Sequence, residues 1–424
     1  MQPQAGLLRT PLEWFWFVGI WLLMTLVSLS WEYYGYRQLK AMPQVRLEGV
    51  GVAEKVTVNR FGHPTRLGKI EADGLVLWAR LSSHLPDISG KRVEVLLATK
   101  NFDFVDYMTR IWAGEANIRL LGSRDDTYTL LREWIASQHQ DALMRNLFLG
   151  IYLDEPLSPL MQQLSNNFGL AAMLTLSGLN LALLSALLYP LIFYPYRFLQ
   201  ERFFPWRHRR IDVLAITLIV LGGYVALTGF PPSLTRAYAM AWAAWLFYTK
   251  GVRLLSFETL TLVTMVLIAL SPRFALSLGF WLSVIGVFYI FLYLRWYGEG
   301  NKIWVYVGLN FWIFVAMAPV IHFWFDHLTF GQLSSPITSM LFDLIYPLSI
   351  LLHLVGLGGV ADDWIKDLLL SPVAPMKLST PLWFLVLYAI LSLLAIKERG
   401  AFMAITLLAL LFVVMGYWYG EYTT

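Results

Sequence analysis

Residues 227–242 read LTGFPPSLTRAYAMAW, a polar, helix-breaking stretch set between long apolar runs. Pro231 and Pro232 remove two backbone donors and push the residues before them out of the helical region, so a helix arriving here stops or unwinds. Arg236 then carries a permanent charge into the next apolar segment. A charge at membrane depth costs about 3 kcal/mol or more unless it faces water, protein or a ligand. Two readings follow. In one, the break lines a polar cavity, where irregular backbone is tolerated within a membrane. In the other, Thr228 to Ser233 form an ordinary extramembrane turn and Arg236 snorkels to an interface.

The composition around this stretch is that of a polytopic membrane protein: 424 residues, 58% hydrophobic and 14% charged. Several runs approach the roughly 20 apolar residues that span a bilayer. The absence of cysteine excludes disulfides, thiolate metal sites and cysteine nucleophiles. Seven histidines, none in HxH, HxxxH or HExxH spacing, give no metal motif, and no cofactor motif is present. With no paired carboxylates or histidine cluster in the sequence pattern, an intramembrane enzyme has nothing to carry it. The net charge of +4 is too small to argue for nucleic acid.

Along the chain, residues 11–36 form an apolar segment with Trp14, Trp16, Trp31, Tyr33 and Tyr34 at its ends, as in an aromatic belt. No small-residue cleavage pattern follows Ser28, so this reads as an uncleaved anchor. Residues 37–145 hold 29 of the chain's 60 charged residues and read as a soluble domain of about 90 residues. Alternating segments at Val45–Val58, Leu75–Leu81, Val93–Ala98 and Ala116–Leu121, with turn signals at Gly62-His63-Pro64, Asp73-Gly74 and Ser89-Gly90, predict about five strands in a small OB-like barrel. Such a barrel can bind single strands. Lys55, Arg60, Arg66, Lys69, Lys91 and Arg92 would supply charge, and Phe61, Trp78 and Phe102 stacking, although a mixed-charge surface is ordinarily just solvated.

Tyr128 to Phe148 reads as one amphipathic helix lying along the membrane surface. Apolar runs follow at 168–194, 211–229, 234–249, 257–270, 275–294, 303–325, 337–355, 381–396 and 401–419. Residues 361–370 look interfacial, with Trp364, Ile365, Leu368 and Leu369 on one face. The loop RFLQERFFPWRHRR, 197–210, places five arginines against one glutamate and reads as cytoplasmic by the positive-inside rule. That puts the soluble domain and the Pro-Pro break outside. If 337–355 re-enters, Lys397 to Arg399 falls inside as well; if it crosses, that basic loop falls outside. Asp343, acidic inside an apolar run, is expected to line a pathway or to pair with an arginine.

Three polar inserts can now be read together. They are Leu176-Ser177-Gly178-Leu179-Asn180, Gly229-Phe230-Pro231-Pro232-Ser233-Leu234-Thr235-Arg236-Ala237, and Ser271-Pro272 followed by Gly279-Phe280-Trp281-Leu282-Ser283. In order and spacing they resemble the SG, GF…RA and DP…GFWLS motifs of the ComEC family of competence proteins. Asn101 to Met108 and Leu149 to Asp154 are similar to the signatures that close that family's external domain and approach its membrane domain. The histidines that usually flank the SG motif are replaced by Ala172 and Asn180, so a role proposed for them does not transfer. The metallo-β-lactamase-like domain of longer members, with its HxHxDH, is missing after Tyr419, so no nuclease of that type is expected.

The resemblance implies a channel in the bacterial inner membrane that passes single-stranded DNA inward during natural transformation. It also implies partners: a periplasmic DNA-binding receptor and a cytoplasmic helicase-like motor, with membrane lipid around the chain. A homodimer that builds the pore between two chains stays open beside a pore within one. The expected fold is a polytopic α-helical membrane protein of about 8–10 membrane segments, some re-entrant or interfacial, with a small external all-β OB-like domain. Its divisions would be 1–36 anchor, 37–125 β domain, 126–165 connecting helices, 166–360 competence-type membrane domain, 361–379 interfacial segment and 380–424 C-terminal helices. The expected DNA pathway comprises Ser177, Gly178, Asn180, Gly229, Phe230, Pro231, Pro232, Thr235, Arg236, Gly279, Phe280, Trp281 and Ser283. Arginine would meet phosphate, aromatics would stack bases, and hydroxyl and amide groups would hydrogen-bond the strand. The competing function is a secondary transporter in which Arg236 binds a small anion.

Overall fold

The computed structural model describes residues 10–422 apart from 59–63, 73, 83, 87, 89–90, 115–116, 123–125, 156, 175–177, 231, 252–255 and 420. Ser177, Pro231, Arg60 and Phe61 therefore lie outside the described residues, as do the side chains of Lys55 and Pro232.

The anchor α1 (Pro11–Ala41) starts at a capping box: Thr10 Oγ1 accepts from Glu13 N at 3.2 Å, and Glu13 Oε2 accepts from Thr10 N at 3.3 Å. It is five residues longer than the predicted 11–36. At 31 residues it reaches about 46 Å, more than a bilayer's hydrocarbon thickness. Near its C-terminal end Tyr36 packs edge-on against Phe102 and Phe104, tying anchor to β domain.

That domain comprises β1 (Gln44–Val58), β2 (Pro64–Ala72), β3 (Leu75–Leu81), β4 (Arg92–Ala98), α2 (Phe104–Thr109), β5 (Ile111–Gly114) and β6 (Asn117–Gly122). The strand order is β5-β3-β2-β1-β4-β6. The long β1 serves both neighbours, pairing with β4 over Gln44–Val50 and with β2 over Gly49–Val58, with a register shift between Gly51 and Ala53. Such a bulge bends the strand. Gly51 is required at the bend because a Cβ there would lie 2.2 Å from the Ile88 carbonyl oxygen. The two edge strands are consecutive in the chain, so the sheet curls into a half-barrel around Ile70, Leu77, Val95, Leu97 and Ile111. β2 and β5 escape the sequence pattern. In β2 the outward positions are charged and Gly68 interrupts the apolar alternation.

The predicted helix 128–148 is two helices, α3 (Asp126–Ala136) and α4 (Ala142–Leu153). Asp141 breaks it, its side chain accepting from Leu143 N at 2.7 Å as a new N-cap. Far from lying on a surface, α4 buries Leu147, Phe148 and Leu149 to Leu153 in a core shared with Tyr346 and Leu369.

The remaining helices are α5 (Pro159–Asn167), α6 (Ala171–Leu174), α7 (Gly178–Phe203), α8 (Arg209–Leu227), α9 (Pro232–Thr249), α10 (Phe257–Leu270), α11 (Leu278–Tyr297), α12 (Lys302–Trp324), α13 (Ser335–Leu354), α14 (Asp362–Leu369), α15 (Leu382–Leu394) and α16 (Arg399–Tyr419). Seven helices among the described residues are long and apolar enough to cross a membrane, α1 and α16 included. With α9 and the shorter α10 and α15, the expected 8–10 segments are accounted for. One core joins α11, α12, α15 and α16 through Tyr289, Trp312, Tyr388 and Phe402; another joins α7, α8 and α9 through Leu181, Leu221, Val225 and Leu234.

The basic loops share one end of this bundle. Trp245 Nε1 donates to Ile211 O at 3.0 Å, pairing the α8 start with the α9 end, and Trp296 Nε1 donates to Ala395 O at 3.0 Å, pairing the α11 end with the α15–α16 turn. At the other end β7 (His327–Thr329), β8 (Pro375–Lys377) and β9 (Glu421–Tyr422) form a small sheet. Because β7 and β8 pair directly, the chain between them, α13 and α14 included, leaves and returns at the same end.

Candidate functional site

The Pro-Pro stretch begins as a helix stop. Thr228 Oγ1 donates back to Val225 O at 3.0 Å, Gly229 N to Ala226 O at 3.0 Å and Phe230 N to Val225 O at 2.9 Å. Gly229 sits at φ +81° and Phe230 at φ +56°. A left-handed phenylalanine stores about 1–2 kcal/mol of strain that a glycine would not. The ring it carries is 60% exposed. Helix α9 then restarts, anchored by the fully buried Leu234, and Arg236 lies in its second turn.

Opposite it, α10 ends at Ser271 and a short 3-10 turn, Pro272–Leu276, leads to Ser277, which caps α11 by accepting from Phe280 N at 3.3 Å. Arg236 Nη1 donates to the same Ser277 oxygen at 3.1 Å, and the guanidinium lies 5.9 Å from the Phe274 ring centre. A Cβ on Gly279 would stand 3.6 Å from Arg236 Nη2, in ordinary van der Waals contact, which places this glycine beside the guanidinium. On the other flank, the first residue of α7, Gly178, packs beside Ala237, where its Cβ would lie 3.4 Å from the Ala237 methyl. Three inserts separated by about fifty residues each thus meet at one place, each at the N-terminal end of a helix.

The electrostatics of that place favour an anion. Unpaired N–H groups and a positive dipole end belong to each helix N-terminus. Arg236 adds a full charge, and it forms no ion pair with any described residue. Thr235 Oγ1 is buried there without a hydrogen-bond partner among the described residues. A native interior rarely leaves such groups unused, so water or a polar ligand is the natural complement.

The individual predictions divide. Gly178, Gly229, Thr235, Arg236 and Gly279 lie at or beside the junction, and Asn180 is buried just inside α7. Trp281 is 39% exposed, its Nε1 held on Ala275 O at 2.8 Å, and Ser283 is exposed. Phe280 is a correction: it is fully buried and stacks on Phe274 at 5.5 Å, so it supports the ring that faces Arg236 and cannot stack a base. Asp343 accepts from Tyr306, a tyrosine and not an arginine. In the β domain, Arg66 is held by Glu54 at 2.7 Å and by Leu85 O, Lys69 by Glu71 at 2.9 Å and Arg92 by Glu48 at 3.2 Å. Phe102 is buried in the domain core, which removes it as a stacking platform; Lys91 is exposed and Trp78 half-buried.

Sequence reasoning missed Ser277, Phe274 and Arg273. Ser277 carried a signal, a serine placed just before an apolar run, as an N-cap is. Arg273 grips Glu32 of α1 with Nε at 2.8 Å and Nη2 at 2.7 Å, donates to Gly74 O in the β2–β3 turn, and lies 4.9 Å from the Tyr107 ring. One side chain therefore joins anchor, β domain and the segment that leads to Ser277. Burial pushes the Tyr107 phenol above its ordinary value.

The described residues are those of a multi-pass membrane protein in which broken helices present a cation at their meeting point. A family model described as Competence protein matches residues 154–421, all three inserts included, and the chain belongs to that family, that of the ComEC competence proteins. Its role is in DNA uptake during natural transformation. No curated protein and no solved structure matches the chain.

Proposed function

We propose that the chain is an inner-membrane channel that carries one DNA strand past the junction of α7, α9 and α11. The observation that supports this most is Arg236: a guanidinium without an acidic partner among the described residues, set among helix N-termini and 5.9 Å from the half-buried Phe274 ring. Phosphate passes along donors and positive dipole ends, while bases slide over Phe230 and Trp281 without sequence preference. The shared end of the basic loops supports a cytoplasmic assignment for that end and an external one for the β domain. The curled sheet supports an OB-like reading, with the anchor, β domain, connecting helices and membrane domain divided as the sequence suggests. A receptor outside and a motor inside would deliver and pull the strand.

Cells lacking this protein test the reading with labelled duplex DNA. Label is expected to become protected from added nuclease yet fail to reach the cytoplasm. Unchanged cytoplasmic label would leave transport of a small anion through the same site as the better account.

A further inference from the structure

A second polar cluster lies away from the junction, where the chain leaving the β domain turns from α3 into α4. His139, His353 and Asp362 are buried, 1%, 2% and 9% exposed. They are far apart in sequence, which is why no histidine cluster was visible there. His139 Nδ1 lies 2.9 and 3.0 Å from the two Asp362 oxygens, His139 Nε2 lies 3.0 Å from His353 Nε2, and His353 Nδ1 lies 2.7 Å from Ser349 O.

The proton count of this chain is fixed by its ends. The Ser349 carbonyl only accepts, so His353 Nδ1 must carry a proton. The Nε2–Nε2 contact needs one proton, and the contact between His139 and Asp362 needs another, on whichever of the two it resides. Three protons are required, one more than two neutral imidazoles and a carboxylate hold. The trio is then electrically neutral. Removing that proton leaves a net buried negative charge and sets two lone pairs against each other at about 3 Å, which burial makes costly.

We propose that His139, His353 and Asp362 form a proton-binding latch that holds the α3–α4 corner, the end of α13 and the start of α14 together, and opens when the proton is lost. The inference goes beyond the channel reading and does not depend on it. The surroundings offer little else to take the charge. From the turn after α3, Gln138 donates to His353 O at 3.1 Å and accepts from Gly358 N at 2.8 Å. From α4, Phe148 lies parallel to the His139 ring at 4.3 Å, Tyr152 lies edge-on to His353, and Arg145 spends a donor on His139 O at 3.1 Å. Asp141 and Lys366 neutralise each other beside the trio, the lysine holding the carboxyl below its ordinary range. From α13, Tyr346 packs on Tyr152. The close fit extends to Gly358, where a Cβ would meet the His353 ring at 2.6 Å. Beneath the latch is an apolar cavity of about 130 Å³ among α4, α6, α13 and α14, lined by Phe148, Tyr346, Ile365 and Leu369.

The stability that the third proton supplies is present while the trio holds it and is lost as rising pH removes it. Hydrogen–deuterium exchange of the purified full-length protein, corrected for the intrinsic pH dependence of exchange, reads this directly. Protection of amides in 137–141 and 353–362 is expected to fall up to tenfold per pH unit across that transition. His353→Gln should show low protection with no such slope. Gly358→Ala keeps every titrating group but wedges the contact, so its protection should be lower than wild type at acid pH and fall over the same range. A wild-type protein whose protection in these segments does not change with pH, or a His353→Gln variant that keeps the slope, would overturn the latch.

Discussion

Arg236→Ala is expected to lower transformation by about a hundredfold or more while the protein remains inserted and at normal abundance. A charged hydrogen bond to phosphate in a part-dry site is worth about 1.5–3 kcal/mol, and each 1.4 kcal/mol is tenfold. In the proposed channel every phosphate of the strand passes this residue, so the loss would recur at each step. Folding should survive because Arg236 makes one hydrogen bond to Ser277 and one ring contact, and Ser277 goes on capping α11 without it. Arg236→Lys keeps the charge but loses the planar fork, and an intermediate defect of about tenfold is expected. Transformants per viable cell, with the membrane content of each variant measured in parallel, decide the point. Normal transformation by the alanine variant removes Arg236 from the pathway.

Reversing Arg273 is expected to have the largest effect on stability. Arg273→Glu places a second carboxylate against Glu32, whose side chain is only 18% exposed, and abolishes the bond to Gly74 O. Breaking a largely buried pair costs about 3 kcal/mol or more, mostly the burden of the charge left behind. The anchor and β domain should then separate from the α10–α11 turn, seen as faster proteolysis between 99 and 126 and a lower thermal midpoint. The double variant Glu32→Arg/Arg273→Glu restores the Coulomb attraction but neither the Gly74 bond nor the contact with Tyr107, so recovery should be partial. A double variant as unstable as the single reversal would show that the pair does not hold these parts together.

Much of this architecture was legible in the sequence because membrane helices announce themselves by apolar length, and the strands by alternation. Helices α8 to α12 fall within a few residues of the predicted runs. The failures have local causes. Residues 128–148 looked like one amphipathic helix because the capping role of Asp141 depends on its side chain folding back onto Leu143 N. Segment 337–355 has the length of a crossing, and only the pairing of β7 with β8 shows that the chain following it comes back to the end where it began. At the site, Arg236 stood out as a charge in an apolar run. Phe280 and Trp281 did not separate, since adjacent residues on a helix point about 100° apart and sequence does not say which faces the core. Ser277 and Arg273 act through partners 41 and 241 residues away, and no local pattern carries that information.

Passage of DNA beside Arg236 can be tested without removing any native cysteine, because the chain has none. Single cysteines at Phe230 and Trp281, and a remote control at the exposed Trp383 of α15, would be offered incoming DNA bearing thiol-reactive groups along its backbone. The account predicts adducts at 230 and 281, made with one strand only, and none at 383. Transport of the same DNA into the cytoplasm with no adduct at either junction position would contradict it.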